Sequence, residues 1–471
     1  SHFLDVAEMT AALAIGYDWL YHELDADARP TIRHAIVDKG LETSLEGGWW
    51  VVARNNWNQV CHGGLTLGAL AVMEDEPELA AQIIERAVAN VPHAMIEYAP
   101  DGAYPEGPGY WKYGTTYNVL MLDALVSALG TDFDLMQAEG FMASADYYLH
   151  VTGPTGKYFN YSDCRPESEV APAMAWFAAQ KDRPSLLWTE RQKLEHFLRQ
   201  PPGADGSNGR LFPMLLVWAE SMDEVPAPDE THWKGEGRTP VAMHRSRWRD
   251  PHAAYLAVKG GSPGTNHAHM DIGTFVLDAD GVRWAEDLGA QSYHDLESQG
   301  IELWDGGQDG ERWEVFRLNN TSHNTLVVDG EKQRVAGNSP ILAFSKDAPQ
   351  PHTIVNMSPV YHGQLAAAQR GVGLRADRSV LIQDEIATLD RETSVRWGIV
   401  TRADVEIRDA HTAVLTQGDE YLVVQVVAPE EAALEIYETQ DPPHDYDARN
   451  PGTRMLGFTV EIPASTETRW A

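Results

Sequence analysis

Asp-Glu-Val-Pro-Ala-Pro-Asp-Glu-Thr-His-Trp-Lys-Gly-Glu-Gly-Arg-Thr-Pro, residues 223–240, is where the chain changes texture. The stretch is acidic and rich in Pro and Gly, so it reads as a linker. Upstream of it, apolar residues recur on a helical period. Leu4, Met9, Leu13, Ile15, Trp19 and Leu20 place a helix over 3–24, and further helices are expected over 29–40, 65–73, 78–95, 115–129, 133–149, 171–180 and 189–198. Pro30 suits a first helical turn and Gly40 a stop. No strands alternate with these segments, so an α/β sheet is disfavoured and antiparallel helix pairs, as a toroid or a solenoid, are expected. Downstream, short β-branched or alternating runs occupy 253–259, 273–277, 324–328, 379–383, 394–401, 413–415 and 421–427, with turn signals at Asp280-Gly281 and Asp329-Gly330. This half reads as antiparallel β, a sandwich of many strands. The expected organisation is a helical domain over 1–222, a linker over 223–240 and a β domain over 241–471, with a cleft at the junction, where ligand sites concentrate.

Composition narrows the function. The 471 residues carry 36 Lys+Arg against 70 Asp+Glu, a formal net charge of −34, which disfavours a general nucleic-acid binder. No apolar run is long enough to span a membrane. Two cysteines, Cys61 and Cys164, exclude a disulfide-stapled scaffold and a four-thiolate metal site. The chain opens Ser1-His2-Phe3-Leu4 without a signal-like segment and reads as a processed or trimmed chain. A bacterial periplasmic or secreted location is favoured over a cytoplasmic one. The 15 Trp and 17 Tyr suit a core, and also a cleft whose aromatic faces stack on sugar rings.

Four constellations could carry chemistry. Asn266-His267-Ala268-His269-Met270-Asp271 precedes an expected strand, and His-x-His in extended chain puts both imidazoles on one face. With Asp287 at the end of the next strand and His323 opening another, one of these two histidines would complete a two-His, one-carboxylate set suited to zinc while the other faces a substrate. Ordinary loop hydrogen bonding is the alternative. Arg54-Asn55-Asn56-Trp57-Asn58-Gln59-Val60-Cys61-His62-Gly63-Gly64 crowds amides where two helices join, either lining a cleft or capping a helix. Asp101 to Tyr113 is a Gly/Pro-rich loop bearing Tyr104, Glu106, Tyr110, Trp111 and Tyr113. Tyr110 is a poor base at its free pKa of about 10, and becomes useful with neighbouring cations or as a proton donor. Finally Arg245, Arg247, Arg249, Arg312 and Arg317 form local cationic clusters suited to carboxylate or sulfate, or to surface ion pairs.

These segments together resemble the heparinase II/III-like polysaccharide lyases: the opening Phe3-Leu4-Asp5-Val6-Ala7-Glu8-Met9, the Asn-Trp-Asn loop, Glu106-Gly107-Pro108-Gly109-Tyr110, Asn266 to Asp271, and Ser322-His323-Asn324-Thr325-Leu326. The resemblance implies an incomplete (α/α) toroid followed by an antiparallel β-sandwich. It also implies cleavage of an anionic, uronic-acid-containing polysaccharide or oligosaccharide by β-elimination. By motif, Tyr110 takes the role of catalytic base/acid, Asn56 neutralises the uronate carboxylate, and His267 is the second catalytic residue. His269, Asp287 and His323 resemble zinc ligands, with the ion shaping the site. Arg54, Asn58, Glu106, Trp111, Arg245, Arg312 and Trp313 are candidates for substrate contact, and a homodimer would be unsurprising. Relatives often carry His where Trp57 stands, and Trp57 cannot act as acid or base. Asn58 and His62 are candidate substitutes.

The chemistry agrees with the inventory, since amide or Arg donors aimed at a uronate carboxylate would stabilise the charge left when the C5 proton departs. Two other readings remain at this level. One is a zinc-dependent carbohydrate hydrolase using His269, Asp287 and His323, with Glu286 or Asp271 as base. The other is a catalytically silent polysaccharide-binding protein. The acidic charge favours a carboxylated or lightly sulfated polymer over a densely sulfated one.

Overall fold

A computed structural model describes residues 2–200, 209–347 and 350–471. Its helical part is built around the helix Asn56–Ala71, which packs between Phe3–Trp19 and Thr116–Leu129. Gly63 and Gly64 make that possible. A Cβ on Gly64 would stand 2.3 Å from the Ala7 carbonyl oxygen, and one on Gly63 2.7 Å from that of Tyr117. The paired glycines therefore serve close helix contact and do not line a cleft. Pro77–Asn90 shows the ordinary amphipathic logic, burying Ala80, Ile83, Ile84 and Ala87 on one stripe. Among the described residues, no helix is long and apolar enough to cross a membrane.

Several expected boundaries move. The helix expected over 133–149 forms only as Ser144–His150. Phe133 and Asp134 take positive φ, and Asp132 accepts from the backbone N–H groups of Asp134 and Met136, which closes a turn in place of a helix. The linker over 223–240 is only partly a linker. It contains strand β1 (His232–Gly235), which pairs antiparallel with β2 (Val241–Arg245). The physical reason is Trp233, whose ring packs 5.9 Å from Tyr147 and 6.2 Å from His150 and draws the strand onto the helical half.

β1 and β2 continue into β3 (Tyr255–Lys259), β4 (Phe275–Ala279) and β5 (Val282–Ala285) as a five-stranded antiparallel sheet in sequential order. This sheet joins the two halves. On β3, Tyr255 and Ala257 enter the core of the helical half, while Leu256 and Val258 enter the core of the remaining sheets. Val241, Met243 and Val276 sort to the first core, and Ala242, Phe275 and Leu277 to the second. Both faces are buried, so these strands read as continuous apolar runs.

The rest of the chain adds three antiparallel sheets. One orders Glu467–Trp470, Val380–Thr388, Leu365–Leu374, His352–Asn356 and Ile341–Ser345. A second orders Glu435–Glu438, Arg454–Ile462, Thr393–Thr401 and Val327–Val328. The third is the meander Asp404–Asp409, Thr412–Gln417, Glu420–Gln425. The strand expected over 324–328 shrinks to Val327–Val328 because Asn324 is committed elsewhere. Its side-chain amide donates to the carbonyls of Phe275 and Glu286, and its oxygen accepts from the Val400 N–H. Arg370 completes the lock, paired through Nε and Nη2 with Asp384 at 2.8 and 2.7 Å and donating to the carbonyls of Gly273 and Asn324.

Two expectations follow for stability. Arg370 and Asp384 are buried, so Asp384→Ala strands a guanidinium. It should cost about 3–5 kcal/mol in a denaturant titration, and a loss under about 1 kcal/mol would contradict the role given to the pair. His62 is buried and accepts no proton readily. Burial lowers its pKa to about 4, and His244 is lowered by burial to about 3. Below the ordinary value of about 6.5 the unfolded chain gains protons that the folded chain refuses. Stability should therefore be full above pH 6.5 and fall as pH drops towards 4, by about 3 kcal/mol for His62 alone. Unfolding midpoints measured across that range, with His62→Gln flattening the slope, check this.

Candidate active site

The loop Asp101–Glu106 ends at Gly107, whose φ of 85° and tight approach to the Tyr161 carbonyl leave no room for a side chain. The short helix Gly107–Tyr110 follows and sets Tyr110, half-buried, at the junction of the helical half with the first sheet. Its ring stacks on that of His267, with centroids 3.9 Å apart and planes 12° from parallel. The phenol oxygen lies 2.9 Å from the hydroxyl of Tyr293.

His267 is not in extended chain, contrary to the strand-alternation argument. Its φ is 60°, a left-handed conformation uncommon for residues other than glycine. This turn, and not strand periodicity, brings His267 and His269 to one carboxylate. Asp163 receives His267 Nδ1 at 3.0 Å on one oxygen and His269 Nε2 at 2.9 Å on the other. The Tyr293 hydroxyl donates to Asp163 at 2.7 Å, and Arg312 Nη2 at 3.0 Å. Asp163 is buried, which alone would raise its pKa. The Arg312 guanidinium and the hydrogen bonds from both histidines outweigh that and hold it well below the usual carboxylate range.

With Asp163 ionised, His267 Nδ1 carries the proton and Nε2 presents its lone pair. Nε2 faces Asn56 Nδ2 at 3.5 Å and Glu106 at 3.7 Å. Asn55 caps the helix, accepting from the Trp57 N–H, and Asn56 is the first helical residue. Glu106 fixes Asn56 by accepting from its backbone N–H at 2.9 Å and its side-chain amide at 3.2 Å. It also accepts from Tyr104 and Asn266. Tyr110 does not have the lowered pKa that neighbouring cations would give. Burial and the charge of Asp163 raise it, so the phenol is protonated and is a donor.

The metal candidates also converge. Ligand atoms of His269, Asp287 and His323 lie within 4.8 Å of one another, all buried. His323 Nδ1 meets Asp287 at 2.8 Å. Among the described residues, His269 Nδ1 and His323 Nε2 are buried nitrogens with no hydrogen-bond partner, which is what a bound ion would satisfy. Asp163 on the far nitrogen of His269 is the carboxylate that commonly orients such a ligand.

Other expected contacts fall elsewhere. Trp111 is wholly buried and stacked on Tyr148, so it offers no face to a sugar. Trp313 is buried with its indole N–H on the Gly307 carbonyl. Asn58 ties the carbonyls of Val51 and Asn90, and His62 is buried against Val51, so neither can substitute for a loop histidine. Arg245 donates to the Thr152 carbonyl away from His267. Glu106 is buried and acts on Asn56. Arg312 acts on Asp163, and Arg54 sits half exposed on the buried Glu97. Asp163 and Tyr293 are not legible in the sequence, since Tyr161-Ser162-Asp163-Cys164 and Ser292-Tyr293 carry no motif. Trp304, half exposed with its ring 5.7 Å from that of His267, is not legible for the same reason.

Residues 241–470 match the family model described as heparinase II/III-like, C-terminal. A search of curated protein sequences gives no match. Among solved structures, the heparinase III BT4657 gene product is similar over all of this chain and 66% of its own, at 14% identity and a TM-score of 0.67. The heparan sulfate lyase HepC from Pedobacter heparinus gives 13% identity and 0.65 over all of this chain and 67% of its own. A further heparinase III gives 12% and 0.70 over 99% of this chain and 68% of its own. The chain thus spans about two thirds of the length of the structures it matches. Its β half is similar to the heparinase II/III-like C-terminal domain, and the chain as a whole has the heparinase III-like fold, helices followed by several antiparallel sheets.

Proposed function

We propose that this chain is a polysaccharide lyase that cleaves a uronate-containing polysaccharide or oligosaccharide by β-elimination, with its helical half forming an incomplete (α/α) toroid and its β half a sandwich. The observation that carries the reading is the stacking of Tyr110 on His267 beside Asn56. Lyase names among the structures of like fold agree with it. One N–H of the Asn56 amide is held by Glu106, and the other makes only the 3.5 Å contact with His267. That second N–H is free to take a uronate carboxylate and stabilise the charge that builds as C5 loses its proton. His267 Nε2 accepts that proton, since Asp163 engages Nδ1. Tyr110, protonated, gives its proton to the leaving glycosidic oxygen and regains one through Tyr293.

His269, Asp287 and His323 would hold a zinc ion, which would cross-link the loops behind His267 and keep its ring in register. All three are buried, which weighs against a hydrolase in which substrate must reach metal-bound water. The half-exposed Arg54, near Asn56, and the half-exposed Trp304, near His267, would contact the anionic polymer.

Incubation with a panel of uronate polysaccharides should raise the ultraviolet absorbance of an unsaturated uronate for at least one of them. Tyr110→Phe should lower kcat by about 100-fold or more. New reducing ends without that absorbance, or full turnover by Tyr110→Phe, would overturn the proposal. Metal analysis of the purified protein should give one zinc per chain, with His323→Ala losing it and melting at lower temperature. A metal-free, fully stable wild type would remove the ion from the account.

A further inference from the structure

We propose that a second cavity at the helix–sheet junction, separate from the Tyr110–His267 centre, is a binding site for a carboxylated sugar. Its volume is about 880 Å³, and Thr152, Lys157, Trp188, Lys193, Arg245 and Arg249 are on its wall. None of Asn56, Tyr110 and His267 lines it.

The cavity holds cationic charge that the protein itself leaves uncompensated. Lys193 is paired with Glu190 at 2.7 Å, and Lys157, 2.9 Å from Glu286, shares that carboxylate with Arg402, so each lysine has a carboxylate partner. Arg245 differs. It is buried and donates through Nη2 to the Thr152 carbonyl, among the described residues its Nε has no partner and it has no ion pair with a carboxylate, and the charge of nearby Asp278 is taken up by Arg283. The faces of Trp248 at 4.1 Å and Tyr255 at 5.0 Å offset part of its charge. Arg249 is exposed and likewise has no carboxylate partner among the described residues. On the acidic side, Asp250 faces Arg247 at 3.5 Å, which leaves Glu167 at the rim. Two guanidiniums therefore stand against one carboxylate, in a chain whose net charge is −34.

A buried guanidinium without a carboxylate is costly to keep, and an oxyanion entering the cavity would relieve it. The remaining wall says what carries the oxyanion. Trp188 is half-buried, which leaves indole surface for a ring. The volume lies within the roughly 300–1,000 Å³ of small-molecule sites and is far larger than a bare inorganic anion would fill. The site is independent of the elimination chemistry, and it would retain acidic saccharide away from the reacting centre.

Titration calorimetry with glucuronate tests this, because the monosaccharide has no glycosidic bond to cleave. Saturable binding is expected to the wild type and to persist in Asn56→Ala, where the carboxylate contact of the reacting centre is removed. It should weaken about tenfold in Arg249→Gln and be absent with glucose. Binding lost in Asn56→Ala and kept in Arg249→Gln would assign it to the reacting centre and overturn the proposal. So would no binding to the wild type, equal binding of glucose, or inorganic sulfate binding as tightly as glucuronate. Failure of the lyase reading would show separately, as absence of unsaturated product.

Discussion

The site depends on one buried carboxylate. Asp163 belongs to the helical half, and its four partners come from three segments of the β half: His267 and His269, Tyr293, and Arg312. An isolated carboxylate at that depth would be expensive to ionise, so the four donors are what make its charge tolerable. The dependence runs both ways. Each donor is oriented by the same two oxygens: His267 presents Nε2 because Nδ1 is engaged, and His269 keeps Nδ1 free. Tyr293 hands a hydrogen-bond link on to Tyr110. The Tyr110–His267 pair and the candidate metal set are thus coupled through a single residue.

That coupling needs a rigid frame, which the first sheet supplies. Side chains alternate along β3 between the core of the helical half and the core of the other sheets, so neither half can shift without disturbing the other. Arg370 and Asn324 then fasten the segment Asp271–Gly273 and the His323 loop to strands on the far side of that sheet. The mobile freedom that polar loops usually retain is removed where His269 and His323 must meet.

Much of this was legible in the chain itself. Helical periodicity before residue 223 and short β-branched runs after 240 have local causes, and the order of the two halves follows from them. The motif residues Asn56, Tyr110, His267, His269, Asp287 and His323 do converge. What stayed hidden is set by tertiary contact. Trp111 lies in the motif loop beside Tyr110, but it opens the π-helix Trp111–Thr115 and stacks on Tyr148 in the core. Trp233 converts half of a Pro/Gly-rich stretch into an edge strand because a helical surface is there to receive it. Asp163 stands between a left-handed Ser162 and a buried cysteine with no pattern around it, and only the fold reveals its partners. The histidines converge for a reason the spacing did not contain, a left-handed His267.

The central claim is that Asp163 sets the state and direction of the reacting imidazole. Steady-state turnover of Asp163→Asn on the polymer that the wild type cleaves tests it most directly. The amide keeps the shape but can donate to Nδ1, so it favours the wrong imidazole tautomer. The account predicts a fall in kcat of roughly three to four powers of ten in a chain that still folds. Turnover within about threefold of wild type would contradict it.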